Sequence, residues 1–128
     1  MTTAYWCALV AIFLPYLFTG IAKIGGGFTL KHNHNPREFL NSLSGASQRA
    51  NWAQQNSFEV TPAFLAAVII AHQVSTLAQS SIDTLAIVFV VSRLIYGICY
   101  VADQALLRSL VWFVGMASIA ALFICSAV

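Results

Sequence analysis

Read for apolar and polar positions, the chain divides into four long apolar runs separated by polar breaks. The first covers about residues 4–22 and stops at Lys23, ahead of Gly25, Gly26 and Gly27. The second covers about 58–78, the third about 84–102 and the fourth 109–128. At about 1.5 Å per residue, a helix over each run is long enough to cross a bilayer. The runs are continuously apolar, whereas the strands of a membrane barrel alternate with period two, so helices are expected. Gln79, Ser80, Ser81, Ile82 and Asp83 leave room only for a tight turn between the second and third runs. Short connections make successive helices antiparallel neighbours. The predicted fold is an all-α membrane protein, a four-transmembrane-helix up-down bundle forming one domain over residues 1–128.

Composition strengthens that picture. Hydrophobic types make up 59% of the chain and charged types 8%, against roughly half and a quarter in soluble domains. So few charges cannot cover a water-facing globule. The formal charge of +2 is too small and too scattered for a nucleic-acid surface. Cys7, Cys99 and Cys125 all lie inside apolar runs without a CxxC or Cys/His cluster, which indicates inert thiols rather than disulfides or zinc ligands. The first run lacks the basic flank and small-residue cleavage site of a signal peptide, so it is expected to be a retained span.

Basic residues set the expected orientation. Lys23, Lys31, Arg37 and Arg49 fall in the first connection, residues 23–56, and Arg108 falls in the third. The second connection and both ends of the chain carry no Lys or Arg. The positive-inside rule then puts the first and third connections in the cytoplasm and both termini outside. Within the first connection, the glycines and the stretch from His32 to Pro36 read as a loop. Beyond it, Arg49, Trp52, Asn56 and Glu59 recur at 3-4-3 spacing, one face of a helix that begins before the membrane. Pro62 is expected to kink that helix.

The third span carries the most unusual residue. Arg93 sits near its middle, where a charge costs about 2.5–3.5 kcal/mol on insertion scales and must face protein or trapped water. Tyr96, Tyr100 and Asp103 follow at 3-4-3 spacing, so one face of this helix is a polar ladder. Glu59 is the expected partner for Arg93. The pair reads either as a register-fixing structural contact or as the border of a polar pocket. Arg108 reads either as an inside anchor or as part of an anion site at a helix start. His72 is expected to be hydrogen-bonded within the bundle. His32 and His34 form an HxH pair that could bind metal, but loop pairs of this kind usually do not, and no metal site is expected.

Together these residues resemble the family of membrane-associated proteins in eicosanoid and glutathione metabolism, MAPEG. Gln48-Arg49-Ala50, Asn56-Ser57-Phe58-Glu59, Pro62 and Phe64 are similar to its second-helix signature. Ser92-Arg93, Tyr96, Tyr100, Arg108-Ser109 and Trp112 are similar to its third and fourth helices, and Asn35-Pro36-Arg37 resembles a small bacterial branch. The resemblance implies a homotrimer in the bacterial plasma (inner) membrane, in contact with membrane lipids. It implies glutathione bound at subunit interfaces on the cytoplasmic side and lipophilic small molecules arriving from the bilayer. It casts Arg108 as the catalytic, thiolate-stabilising residue, with Arg49, Asn56, Glu59, Arg93, Tyr96 and Tyr100 around the tripeptide. One position departs from the pattern: active transferases carry a glutathione-contacting arginine four residues before the signature asparagine, and here Trp52 stands there. Such a charge-assisted contact is worth about 1.5–3 kcal/mol, roughly tenfold to a hundredfold in affinity. The sequence therefore supports a glutathione-dependent transferase or peroxidase, with a non-catalytic scaffold or a lipid- or partner-binding subunit as the alternative.

Overall fold

The computed structural model describes residues 1–74 and 76–127. Five α-helices follow one another among them: α1, Thr3–Gly25; α2, Pro36–Asn41; α3, Gly45–Val74; α4, Gln79–Val101; and α5, Ala105–Ser126. A 3₁₀ turn, Leu30–His34, precedes α2. The four long helices are apolar and long enough to cross a membrane, and they form the expected bundle. Helix α1 packs on α3 and α4, while α5 packs on α4 and α3. At 30 residues, α3 is about 45 Å long, half again the thickness of a bilayer's hydrocarbon core. It is thus longer than a span needs, and Arg49 belongs to its first turns.

Several boundaries differ from the expectation. Gln79 to Asp83 do not form a turn but open α4. They are good cap and turn residues, yet their polarity is equally satisfied on the exposed first turn of a helix at the membrane surface. Asp83 accepts a hydrogen bond from the Ala4 amide at 2.8 Å, which joins the start of α4 to the start of α1. The connection is shorter and lies upstream, after Val74; Ser75, within the second expected span, and Val128, the end of the fourth, fall outside the described residues. Helix α5 opens at Ala105 rather than Ser109. Part of the stretch expected to be a plain loop winds into the 3₁₀ turn, and α2 opens at Pro36, where the sequence becomes helix-compatible, with the Asn35 side chain accepting from the Glu38 amide to cap it. Pro62 lies inside α3 without interrupting it.

The core is built mainly from small residues and two phenyl rings. Ala4, Ala11, Ala67, Ala71 and Ala86 let the helices approach closely, the usual device where lipid supplies no hydrophobic drive between helices. Phe64 of α3 and Phe89 of α4 stack at 3.9 Å between centroids. Val88, Val91, Leu94 and Ile98 are exposed on α4, on the side away from the polar ladder. His72 is tied into the bundle: Nδ1 donates to the Val68 carbonyl at 2.8 Å, and the ring stacks on Tyr5 at 4.2 Å. Its Nε2 lies 2.9 Å from the Thr2 hydroxyl.

Gly97 is the tightest crossing. A Cβ there would stand 2.0 Å from the Phe18 ring, and Phe18 is itself buried against Leu14 and Ala53. Gly97→Ala is expected to cost about 1–3 kcal/mol through overpacking. Gly20→Ala, where a Cβ meets nothing within 4 Å, is expected to be neutral or stabilising by up to about 1 kcal/mol, because alanine is the better helix former. Thermal unfolding of both variants in one detergent measures the contrast. Equal stabilities would contradict the α1–α4 packing.

Candidate functional site

The polar faces of α3 and α4 meet at membrane depth, and Arg93 is the centre of the meeting. Only 2% of it is exposed. Its Nη2 donates to Asn56 Oδ1 at 2.8 Å and to Ser57 Oγ at 3.4 Å. The guanidinium carbon lies 4.0 Å from the centroid of the Tyr96 ring, whose negative face favours a cation. Gly115 of α5 completes the enclosure, since a Cβ there would come within 2.8 Å of Ser92 Oγ and 3.8 Å of Arg93 Cδ.

The expected direct pair between Glu59 and Arg93 is replaced by a relay. Asn56 accepts from Arg93 and donates through Nδ2 to Glu59 Oε2 at 3.1 Å. Glu59 is exposed while Arg93 is buried. The two side chains sit at different depths, and the amide, with one acceptor and one donor end, spans the gap. Arg93 Nε is buried without a hydrogen-bond partner among the described residues. The charge is thus solvated by neutral dipoles and a ring, and its carboxylate is one residue removed.

Two adjoining grooves share Tyr96 and Tyr100. The larger, about 400 Å³, is lined by Trp52, Gln55, Asn56, Glu59 and the two tyrosines. The smaller, about 260 Å³, is lined by the same tyrosines with Arg108, Ser109, Trp112 and Phe113. Tyr96 and Tyr100 meet edge to face at 5.4 Å. Tyr100 then has Trp52 at 6.2 Å and the Arg108 guanidinium carbon 4.3 Å from its centroid. Arg108 belongs to the first turn of α5, and its amide donates to the Gln104 carbonyl. A helix start bears partial positive charge and open amides, so the arginine adds to a field that already favours anions.

The structure thus gathers Asn56, Glu59, Arg93, Tyr96, Tyr100 and Arg108 at one place. Two residues that the sequence pattern placed with them go elsewhere. Arg49 donates through Nε and Nη2 to the Val101 carbonyl at 3.2 and 3.0 Å, capping the last turn of α4, where a cation is favoured. Asp103 leaves the polar ladder because α4 ends at Val101 and Asp103 turns with φ of 60°, a conformation aspartate tolerates better than most residues. Gln55 and Ser57 were not among the expected site residues. Gln55 was accessible to helical spacing, three residues beyond Trp52 and four before Glu59. Ser57 lies inside the second-helix signature, but nothing about a small hydroxyl marks it until Arg93 is seen beside it. Among the described residues no three His, Cys, Asp or Glu side chains are grouped to hold a metal. His32 instead accepts from the Thr29 amide at 3.0 Å and packs on Phe39 at 4.4 Å.

The family model described as MAPEG family matches residues 3–128. The chain therefore belongs to the MAPEG family, as the arrangement of four spans and the residues of α3, α4 and α5 suggested. Comparison with curated proteins and with solved structures gave no match.

The relay gives a stability test. Asn56→Leu leaves the Arg93 guanidinium without its best acceptor and is expected to cost about 1.5–3 kcal/mol. Glu59→Gln removes an exposed charge and is expected to change stability by less than about 0.5 kcal/mol. Thermal unfolding in detergent is the measurement. A larger loss for Glu59→Gln than for Asn56→Leu would restore the direct ion pair.

Proposed function

We propose that this MAPEG protein is a glutathione-dependent transferase or peroxidase acting on lipophilic electrophiles, working as a homotrimer in a bacterial inner membrane. The observation that carries the reading is Arg108 lying across the face of Tyr100, at the junction of a polar groove and an aromatic one. A charged, dipolar tripeptide fits the first groove, whose Asn56, Gln55 and Glu59 offer both donors and acceptors. An apolar electrophile fits beside Trp112 and Phe113, in the aromatic groove.

In this reading Arg108 governs the reactive state of the thiol. A free thiol has a pKa of about 8.5 and is mostly protonated near neutral pH, and a neighbouring guanidinium favours the thiolate. The thiol proton passes to solvent, and the sulfur forms a bond to the electrophilic carbon as the leaving group departs with its electron pair. With a lipid hydroperoxide, two glutathione molecules are oxidised to the disulfide while the hydroperoxide is reduced to alcohol and water. The protein's part is positioning and charge stabilisation. Asn56, held by Arg93 on one side and bonded to Glu59 on the other, supplies a rigid edge to the tripeptide groove.

Trp52 favours a second reading. Its indole stands against Tyr100 where active transferases carry a cation, which suits a scaffold or a pocket for another lipid-borne ligand. The two readings separate by mutation. For an enzyme, Arg108→Ala is expected to lower kcat by about tenfold to a hundredfold with a smaller change in KM, since its charge acts on the reacting thiolate. Trp52→Arg is expected to tighten glutathione binding by about tenfold or more. Calorimetry with glutathione and conjugation of a model lipophilic electrophile provide the readouts, with native mass spectrometry reporting the trimer. No glutathione binding by either the native chain or Trp52→Arg, with the trimer intact, would sink the enzyme reading.

The proposed orientation has its own test. With the first and third connections in the cytoplasm, a cysteine introduced at Asn33 of a chain whose Cys7, Cys99 and Cys125 are replaced by alanine is expected to resist membrane-impermeant thiol reagents on intact cells and to react after lysis. Labelling before lysis reverses the topology.

A further inference from the structure

The first connection contains a groove separate from the Tyr100 site. At about 480 Å³, it is lined by Gly26, Lys31, His32, His34, Asn35, Glu38, Phe39 and Ser42. It starts one residue beyond the end of α1, so it lies where a span gives way to the polar headgroup layer. Its walls are well fixed. The Lys23 ammonium sits 4.2 Å from the Phe28 ring centroid, Phe28 meets Phe39 edge to face at 5.1 Å, and His32 packs on Phe39. On the Gly26 side, a Cβ would collide with Leu43 at 2.3 Å, so the loop is drawn down onto the helices.

Two further facts point to what occupies the groove. Ile24, in the last turn of α1, and Leu30, opening the 3₁₀ turn, are 85% and 89% exposed, a level that only Met1 reaches among the other large apolar side chains of the described residues. At a membrane surface such side chains enter the acyl boundary, which holds the connection flat on the bilayer. The lining also carries opposite charges, Lys31 and Glu38. A purely anionic ligand would meet the carboxylate, and a quaternary ammonium could not donate a hydrogen bond to it.

We propose that this groove binds the headgroup of a zwitterionic amino-phospholipid, of the phosphoethanolamine class. Lys31 faces the phosphate and Glu38 accepts from the primary ammonium. Ile24 and Leu30 lie among the acyl chains. The site selects its lipid by matching one cation and one anion, and it fastens the first connection beside the start of α3. Its anchoring role is independent of any glutathione chemistry.

The test uses the full-length, delipidated protein in mild detergent, titrated with short-chain phosphatidylethanolamine, phosphatidylcholine and phosphatidylglycerol. Native mass spectrometry counts bound lipid. Phosphatidylethanolamine is expected to bind ahead of the other two, and Lys31→Ala to weaken it by about tenfold. Glu38→Gln is expected to reverse the order, so that anionic phosphatidylglycerol binds best. Because Glu38 also accepts from Asn35 Nδ2, thermal unfolding of each variant accompanies the titration, and Lys31→Ala leaves that contact alone. Equal binding of the three lipids, or an order unchanged in both variants at unchanged stability, overturns the proposal. So does phosphatidylglycerol binding best to the native chain.

Discussion

The buried charge of Arg93 constrains this bundle more than any other single residue. A guanidinium at membrane depth must keep polar contacts on the helices that face it. Asn56 and Ser57 of α3 supply them, Tyr96 of its own helix covers one face, and Gly115 leaves room for the stem on the α5 side. Together these contacts fix how α3, α4 and α5 stand relative to one another. Shifting α3 by one residue would turn Asn56 away from Arg93, so the polar contact sets the register of an otherwise slippery apolar interface.

Small side chains make that register attainable. Where lipid is as apolar as the helix surfaces, association depends on close packing, and alanines and glycines allow it. Gly97 against Phe18 and Gly115 against Ser92 are two places where a single methyl group has no space. Both lie on faces next to the tyrosine ladder. The helix positions that allow α1 and α5 to close on α4 therefore also place Tyr96, Tyr100 and Arg108 around shared grooves.

The four spans were legible because long apolar runs between polar breaks leave few alternatives. Their ends were less so. Gln79, Ser80 and Ser81 are at home both in a turn and in the first turn of a helix, and the contacts of Asp83 with the Ala4 amide and with Gln79 favour the helix. The polar faces of α3 and α4 were readable from 3-4-3 spacing, which correctly aligned Trp52, Asn56 and Glu59 and also Arg93, Tyr96 and Tyr100. Depth was not readable. Spacing says which residues share a face but not how far each reaches, so Glu59 looked like the partner of Arg93 when Asn56 lies between them. Asp103 failed for a related reason: the ladder continues only as long as the helix does.

The disposition of the arginines bears most directly on chemistry. Arg49 is engaged by the Val101 carbonyl, and Arg93 by Asn56 and Ser57. Both are committed to contacts that hold the bundle, although Arg93 keeps its Nε without a hydrogen-bond partner among the described residues. Arg108 differs, because its side chain lies on the Tyr100 ring, and a cation over an aromatic face keeps its donors available for an anion. An anionic or thiolate ligand in these grooves would therefore be held chiefly by Arg108, with the open amides at the start of α5 behind it. Trp52 sharpens the point. With an indole rather than a second cation on the other side of Tyr100, the grooves offer one strong positive centre, so in the proposed complex the thiolate lies at Arg108 while the tripeptide's ammonium and carboxylates meet Glu59 and the amides of Asn56 and Gln55.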